Sequence, residues 1–180
     1  MEYLEQIYIN VSDWLKFAES KHAGVFAAWV AIFIALLSSS DYFNISQKAF
    51  VIISVICLIG VLINVISFFP FLNRFTFLKE RCRNKYSHYS GSAIFYQSIF
   101  VDTYSNNPEE SINKYQQILK EKSNLNFDDN LSRDYLLQII QMSTVASLKI
   151  YLFELSIKYI LFFISAIVIF ALILMFFNFV

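Results

Sequence analysis

Late in the chain the sequence RDYLLQIIQMSTVASLK places Arg133, Gln138, Gln141, Ser143, Ser147 and Lys149 among apolar residues. On a helix, Gln138 and Lys149 are about three turns apart, so they point within roughly 20° of each other and stand about 16 Å apart along the axis. Ser143 and Ser147 share another face, where small side chains let a neighbouring helix come close. Two readings stay open. In one, the segment is a packed stalk whose polar residues meet partners or water, with Lys149 reaching toward inner headgroups. In the other, Arg133, Gln138 and Lys149 line a cytoplasmic site for a small anion, the guanidinium gripping a phosphate and the amide reading a base edge.

A second polar cluster, NRFTFLKERCRNKYSHYS, brings Arg74, Lys79, Arg81, Arg83 and Lys85 within a dozen residues. Such a run keeps its segment at the inner leaflet of a membrane. It also suits an anionic ligand, since Tyr86, His88 and Tyr89 between the cations can stack on a base. No nucleophile with a neighbouring base, no metal-ligand cluster and no Gly-rich phosphate loop accompanies either segment, so the sequence is read as a non-enzyme without a metal or resident cofactor. The two cysteines, Cys57 and Cys82, sit in different surroundings and are read as free thiols.

These residues must be held by a membrane protein. Of the 180 residues, 57% are hydrophobic and 18% aromatic, above the share usual in soluble domains. Three runs, 22 to 38, 49 to 72 and 159 to 180, have the length or apolarity to cross a hydrocarbon core that needs about 20 helical residues. About twenty amphipathic, acid-bearing residues precede the first run, so it is expected to stay as an anchor and not to be cleaved as a signal peptide. Of the 14 Lys and Arg, only Lys48 falls in the loop SSDYFNISQK between the first two runs; the other thirteen lie in 1 to 21 or 73 to 158. The excess of positive charge inside then puts the N-terminus and the middle region in the cytoplasm of a multi-pass inner-membrane protein. Among the few polar side chains in the runs, Asn64 is either an interhelical hydrogen-bonding group or a pore-lining one. Pro70 either kinks the second run or ends it.

Outside the runs, Leu4, Ile7, Tyr8, Val11, Trp14, Leu15 and Ala18 recur at helical spacing, so residues 1 to 21 form an amphipathic helix. It lies on the interface or the cytoplasmic core, or moves as a gate. Gly91 breaks the pattern, and SAIFYQSIF reads as a short buried segment. The stretch NNPEESINKYQQILKEK predicts a helix over 108 to 122, with Asn107 as cap, Pro108 in the first position, acids at the start and lysines at the end. Asp128 or Asp129 can cap the last helix, which no Gly or Pro interrupts to Val180. About 50 residues make it some 75 Å long. The expected fold is therefore all-α, with three transmembrane helices, a helical cytoplasmic region and a last helix continuous from stalk into membrane. Its parts are the N-terminal helix (1–21), a transmembrane hairpin (22–72), a cytoplasmic region with the ligand site (73–156) and a third span (157–180).

The order of these pieces resembles the Pycsar effector family, bacterial transmembrane proteins of anti-phage defence activated by a cyclic pyrimidine nucleotide from a partner cyclase. The resemblance covers about 12 to 175. It rests on Glu19-Ser20-Lys21-His22-Ala23 at the first span, the turn Phe95-Tyr96-Gln97-Ser98-Ile99, Pro-Glu-Glu from 108, and Gln138, Ser143 and Lys149 at offsets of 0, 5 and 11. It implies a homo-oligomer, with a tetramer the favoured count, that binds a nucleotide second messenger and then impairs the membrane or conducts ions. Arg133, Gln138, Lys149, Tyr96 and Arg83 are the expected ligand-binding residues, and Asn64, Lys21 and Trp14 the expected pore or gating residues. A short oligonucleotide from a nucleotidyltransferase is the alternative messenger, suggested by departures at Glu19, His22, Gln97 and Ser98. A constitutive holin-like pore and a non-conducting membrane scaffold that recruits a cytoplasmic partner are the rival functions.

Overall fold

The computed structural model describes residues 2–38, 47–68, 75–123 and 129–178, with side chains described except at 47–49, 67 and 170–178. Residues 39–46 of the loop between the first two runs, Pro70, Arg74 and Asp128 lie outside the described residues. All the described elements are helical: α1 (Glu2–Ser38), α2 (Gln47–Ser67), α3 (Thr76–Tyr86), a 3-10 turn at Ser87–Tyr89, α4 (Tyr96–Thr103), α5 (Pro108–Ser123) and α6 (Asn130–Asn178). Two of them, α1 and α6 as far as Ile169, are long and apolar enough to cross a membrane, while the apolar part of α2, Phe50–Ile66, is shorter.

The capping chemistry explains the local boundaries. Asn107 Oδ1 accepts from the Glu109 amide at 3.0 Å, so α5 starts at Pro108 as its sequence dictates. At α6, the Ser132 hydroxyl and the Ser132 amide both donate to the Asp129 carboxylate, the amide at 3.1 Å, and these hydrogen bonds hold the Asp129 carboxyl below its ordinary range. Gly91 takes φ 99, in the left-handed region glycine tolerates, and its amide donates to Asp102 at 2.8 Å. From Asn130 to Asn178, α6 is one helix without interruption at 150–158. The helix that carries the N-terminal amphipathic segment continues past 21 into the apolar stretch as far as Ser38, because the change there is in hydropathy.

The chain divides into two compact units, Met1–Ser20 with Phe69–Tyr151 and Lys21–Phe68 with Leu152–Val180. In the first, Leu4, Ile7 and Val11 of α1 are buried in one core with Ile99, Tyr115, Leu119, Leu136 and Ile139. Full burial of each such aliphatic side chain contributes about 1.5–3 kcal/mol. The Tyr115 hydroxyl, also buried, donates to the Ala93 carbonyl at 2.8 Å and fixes the strap that leads into α4. In the second unit, Val25 and Trp29 pack with Cys57 and Phe163. The Trp29 indole N–H donates to Ser156 Oγ at 3.1 Å, and the Asn64 amide donates to the same oxygen at 2.7 Å. Outward-facing apolar side chains are abundant in this unit, Phe162 reaching 73% exposure. Such a surface is the kind that faces lipid or another membrane helix.

Candidate ligand-binding cleft

The first unit holds a cleft of about 120 Å³ between α3, α4, α5 and α6. Helical spacing explains its lining. Cys82 and Tyr86 are the buried residues of α3, and Lys79 lies seven residues before Tyr86, on the same face, so the core contacts of α3 carry the lysine inward. From α6 come Leu137, Ile140, Gln141 and Thr144, one face at offsets of 0, 3, 4 and 7. Phe100 and Thr103 of α4, the loop Tyr104–Asn106, and Pro108 and Ser111 of α5 complete it.

The polar groups of the cleft separate into two sets. Four hydroxyls have already spent their protons: Thr103 on the Ile99 carbonyl at 2.6 Å, Thr144 on Ile140 at 2.8 Å, Ser111 on Asn107 at 3.3 Å and Ser105 on the Glu110 carboxylate at 2.6 Å. The side-chain ends of Lys79, Asn106 and Gln141 make no hydrogen bond or ion pair among the described residues. Burial draws the Lys79 ammonium below the ordinary lysine value. Among the described residues no carboxylate lines the cleft. Glu110, which accepts from the Ser105 hydroxyl, is also taken by Lys114 at 2.6 Å, and those hydrogen bonds hold its carboxyl below the usual range. A partly desolvated cation with no internal counter-charge, flanked by two uncommitted amides, is an arrangement that receives an anion.

A second hollow in this unit, wider at about 580 Å³, is lined by Asn10, Asp13, Trp14, Phe17, Ser92, Ile94 and Phe95. It offers an acid and no cation, which does not suit a phosphate.

The residues predicted from the sequence are dispersed. Arg133 of α6 pairs with Glu109 of α5. Gln138 is exposed, and Lys149, only 8% exposed, bonds to Glu19 at 2.7 Å. The two do share a stripe of α6, but the stripe passes from solvent into the packed interior, so neither lines either hollow. Tyr96 is a core residue, its ring 5.2 Å from that of Trp14, and burial pushes its hydroxyl up to about 12. Arg83 comes nearest to the cleft, its guanidinium 4.9 Å over the ring of Tyr104. Trp14 lines the wider hollow. In the second unit, Lys21 lies 5.3 Å over the Phe153 ring, and Asn64 is buried against Ser156 and the Gly60 carbonyl.

The sequence names Lys79 within the basic cluster and Gln141 within the polar series but singles out neither as a ligand contact, and it leaves Asn106 aside. Lys79 is indistinguishable in type from its basic neighbours, and only the inward position of Tyr86 sets it apart. Gln141 has a signal in the sequence: it lies with Leu137, Ile140 and Thr144 on a face different from that of Gln138.

A model of the Pycsar effector protein domain matches residues 3–177 of the chain. No curated protein and no solved structure matches it.

Proposed function

The chain belongs to the Pycsar effector family, membrane effectors of anti-phage signalling and not enzymes, and on that premise we propose that it is a nucleotide-gated effector that impairs the membrane when its messenger binds. The first unit is the cytoplasmic sensor, and three helices, α1, α2 and the end of α6, cross the inner membrane. The single observation that carries the reading is the Lys79 cleft, a site shaped for an anion in a protein with no catalytic constellation among its described residues. Both α1 and α6 have part of their length in each unit, so a displacement of either helix in the sensor is inherited by its membrane segment.

Energetics point to an oligomer. Moving a closed-to-open ratio from 1:99 to 99:1 requires a ligand preference of about 5.5 kcal/mol for the open state. A few charge-assisted contacts per subunit, summed over several subunits, supply it. In the closed form, spans lined by Phe, Ile and Val exclude water without a plug. The expected messenger is a cyclic pyrimidine nucleotide or a short oligonucleotide from a partner cyclase or nucleotidyltransferase.

Release of a trapped dye from liposomes carrying the full chain tests this reading. Release is expected only on adding cyclic CMP, cyclic UMP or a linear trinucleotide. Release without any nucleotide would establish a constitutive pore instead, and nucleotide binding without release would establish a scaffold.

A further inference from the structure

The cleft is smaller than the roughly 300–1,000 Å³ of a site that encloses a drug-sized ligand, so at about 120 Å³ it takes only part of a nucleotide. Which part follows from its polar inventory. The Thr103, Thr144, Ser111 and Ser105 hydroxyls donate elsewhere, so they have no proton to offer a phosphate oxygen. Among the described lining side chains the donors left for an anion are Lys79, the Tyr104 phenol and the amide N–H groups of Asn106 and Gln141, and of these only Lys79 carries a charge. An amide also carries an acceptor, so it pairs with a donor-acceptor edge of a base or with a sugar hydroxyl. Asn106 and Gln141 are exposed at the rim, whereas Lys79 is half-buried.

We infer that the cleft holds the phosphodiester end of the nucleotide, with Lys79 as its counter-ion and Gln141 and Asn106 as contacts to the sugar or base at the mouth. Arg133 does not touch the ligand; it is engaged with Glu109, tying α6 to α5 beside Leu137 and Pro108. This assignment rests on the nucleotide-gated reading and adds to it the residue that answers the charge, the end of the ligand that enters first, and the exclusion of Arg133. A neutral nucleoside, lacking the phosphate, is accordingly a poor ligand.

The test uses the full chain in detergent for equilibrium dialysis and in liposomes for dye release. The probes are cyclic CMP, cyclic UMP, a linear trinucleotide and the nucleosides cytidine and uridine. The variants are Lys79→Met, which keeps the apolar stem, Lys79→Arg, Gln141→Leu and Arg133→Ala, each checked for helical content and elution volume. Lys79→Met is expected to weaken binding of the active nucleotide at least tenfold and to flatten its salt dependence. Lys79→Arg is expected to retain most of the affinity, and Arg133→Ala to stay within about fivefold of wild type. Gln141→Leu is expected to alter discrimination among the nucleotides more than overall affinity. If the wild-type chain binds and releases while a folded Lys79→Met does the same at equal concentration, the assignment falls and the gating reading stands. If the wild-type chain binds none of the nucleotides, both fall. Should Lys79→Met misfold, an unchanged affinity in Lys79→Gln overturns the assignment in the same way.

Discussion

The polar interior of the second unit and the cleft of the first are built on opposite terms. Around Ser156 the donors are answered: the Trp29 indole at 3.1 Å and the Asn64 amide at 2.7 Å converge on one hydroxyl oxygen, and the Asn64 amide reaches the Gly60 carbonyl at 2.8 Å. Around Lys79 a cation and two amides line a cleft without a hydrogen bond or ion pair among the described residues. Within a bilayer no water is present to satisfy a polar group, so an unpaired buried donor is costly there; the donors around Ser156 are paired, although the buried Ser54 hydroxyl of the same unit has no hydrogen-bond partner among the described residues. A cleft whose rim residues Asn106 and Gln141 are exposed is under no such demand, and its uncommitted groups remain available to a ligand. Lys149 shows that the first unit can answer a buried ammonium when it needs to, with Glu19 at 2.7 Å. The lack of a carboxylate among the described residues that line the cleft is therefore a property of the cleft and not of the unit.

If the junction around Ser156 is structural, its strongest dependence is steric. A Cβ on Gly60 would lie 2.6 Å from the Trp29 ring, and both are buried in helices, so Gly60→Val is expected to cost about 3 kcal/mol or more and to abolish a monodisperse folded protein in detergent. A folded Gly60→Val chain would show that the helices are not packed this closely. Next in size is Glu19→Ala. It removes one half of a pair whose lysine is nearly buried and whose acid is half exposed, for an expected loss of about 1–2 kcal/mol, less than for a fully buried pair. Thermal unfolding of the purified chain checks it, and an unchanged midpoint would reduce the pair to a surface contact.

A smaller effect distinguishes structure from pore lining at Asn64. Replacement by Leu leaves Ser156 bonded to Trp29, so the expected cost is about 0.6 kcal/mol with single-channel or ion-flux behaviour unaltered. A changed conductance at unchanged stability would instead place Asn64 on the conducting path. Smallest is Glu109→Gln, which breaks the exposed pair with Arg133. Unfolding is expected to shift by no more than about 1 kcal/mol, and a large loss of ligand response would give that pair a place in the cleft that its geometry does not.

Much of the fold is legible where local chemistry decides it. The start of α5 follows from Asn107 and Pro108, the length of α6 from the absence of breakers, and the buried face of the early α1 from the spacing of Leu4, Ile7 and Val11. The continuity of α1 past residue 21 is hidden, because hydropathy changes there while helix propensity does not. The cleft is hidden for a different reason. Gln138 and Gln141 are identical in type and three residues apart, and Lys79 is one cation among several; tertiary packing of α3 against its neighbours selects between them. Small-residue spacing is a partial guide. Ser143 and Ser147 are indeed buried, yet their hydroxyls find no partner, as expected of residues retained for size and not for bonding.

Amide hydrogen exchange with and without the nucleotide that triggers release tests the central claim most directly. Binding in the cleft predicts added protection in three separate stretches, 76–86, 100–111 and 137–144, in the same sample whose liposomes leak. Release with no added protection in those stretches, or with protection confined to 22–38 and 50–66, would contradict a ligand that binds in the first unit and acts on the membrane through the second.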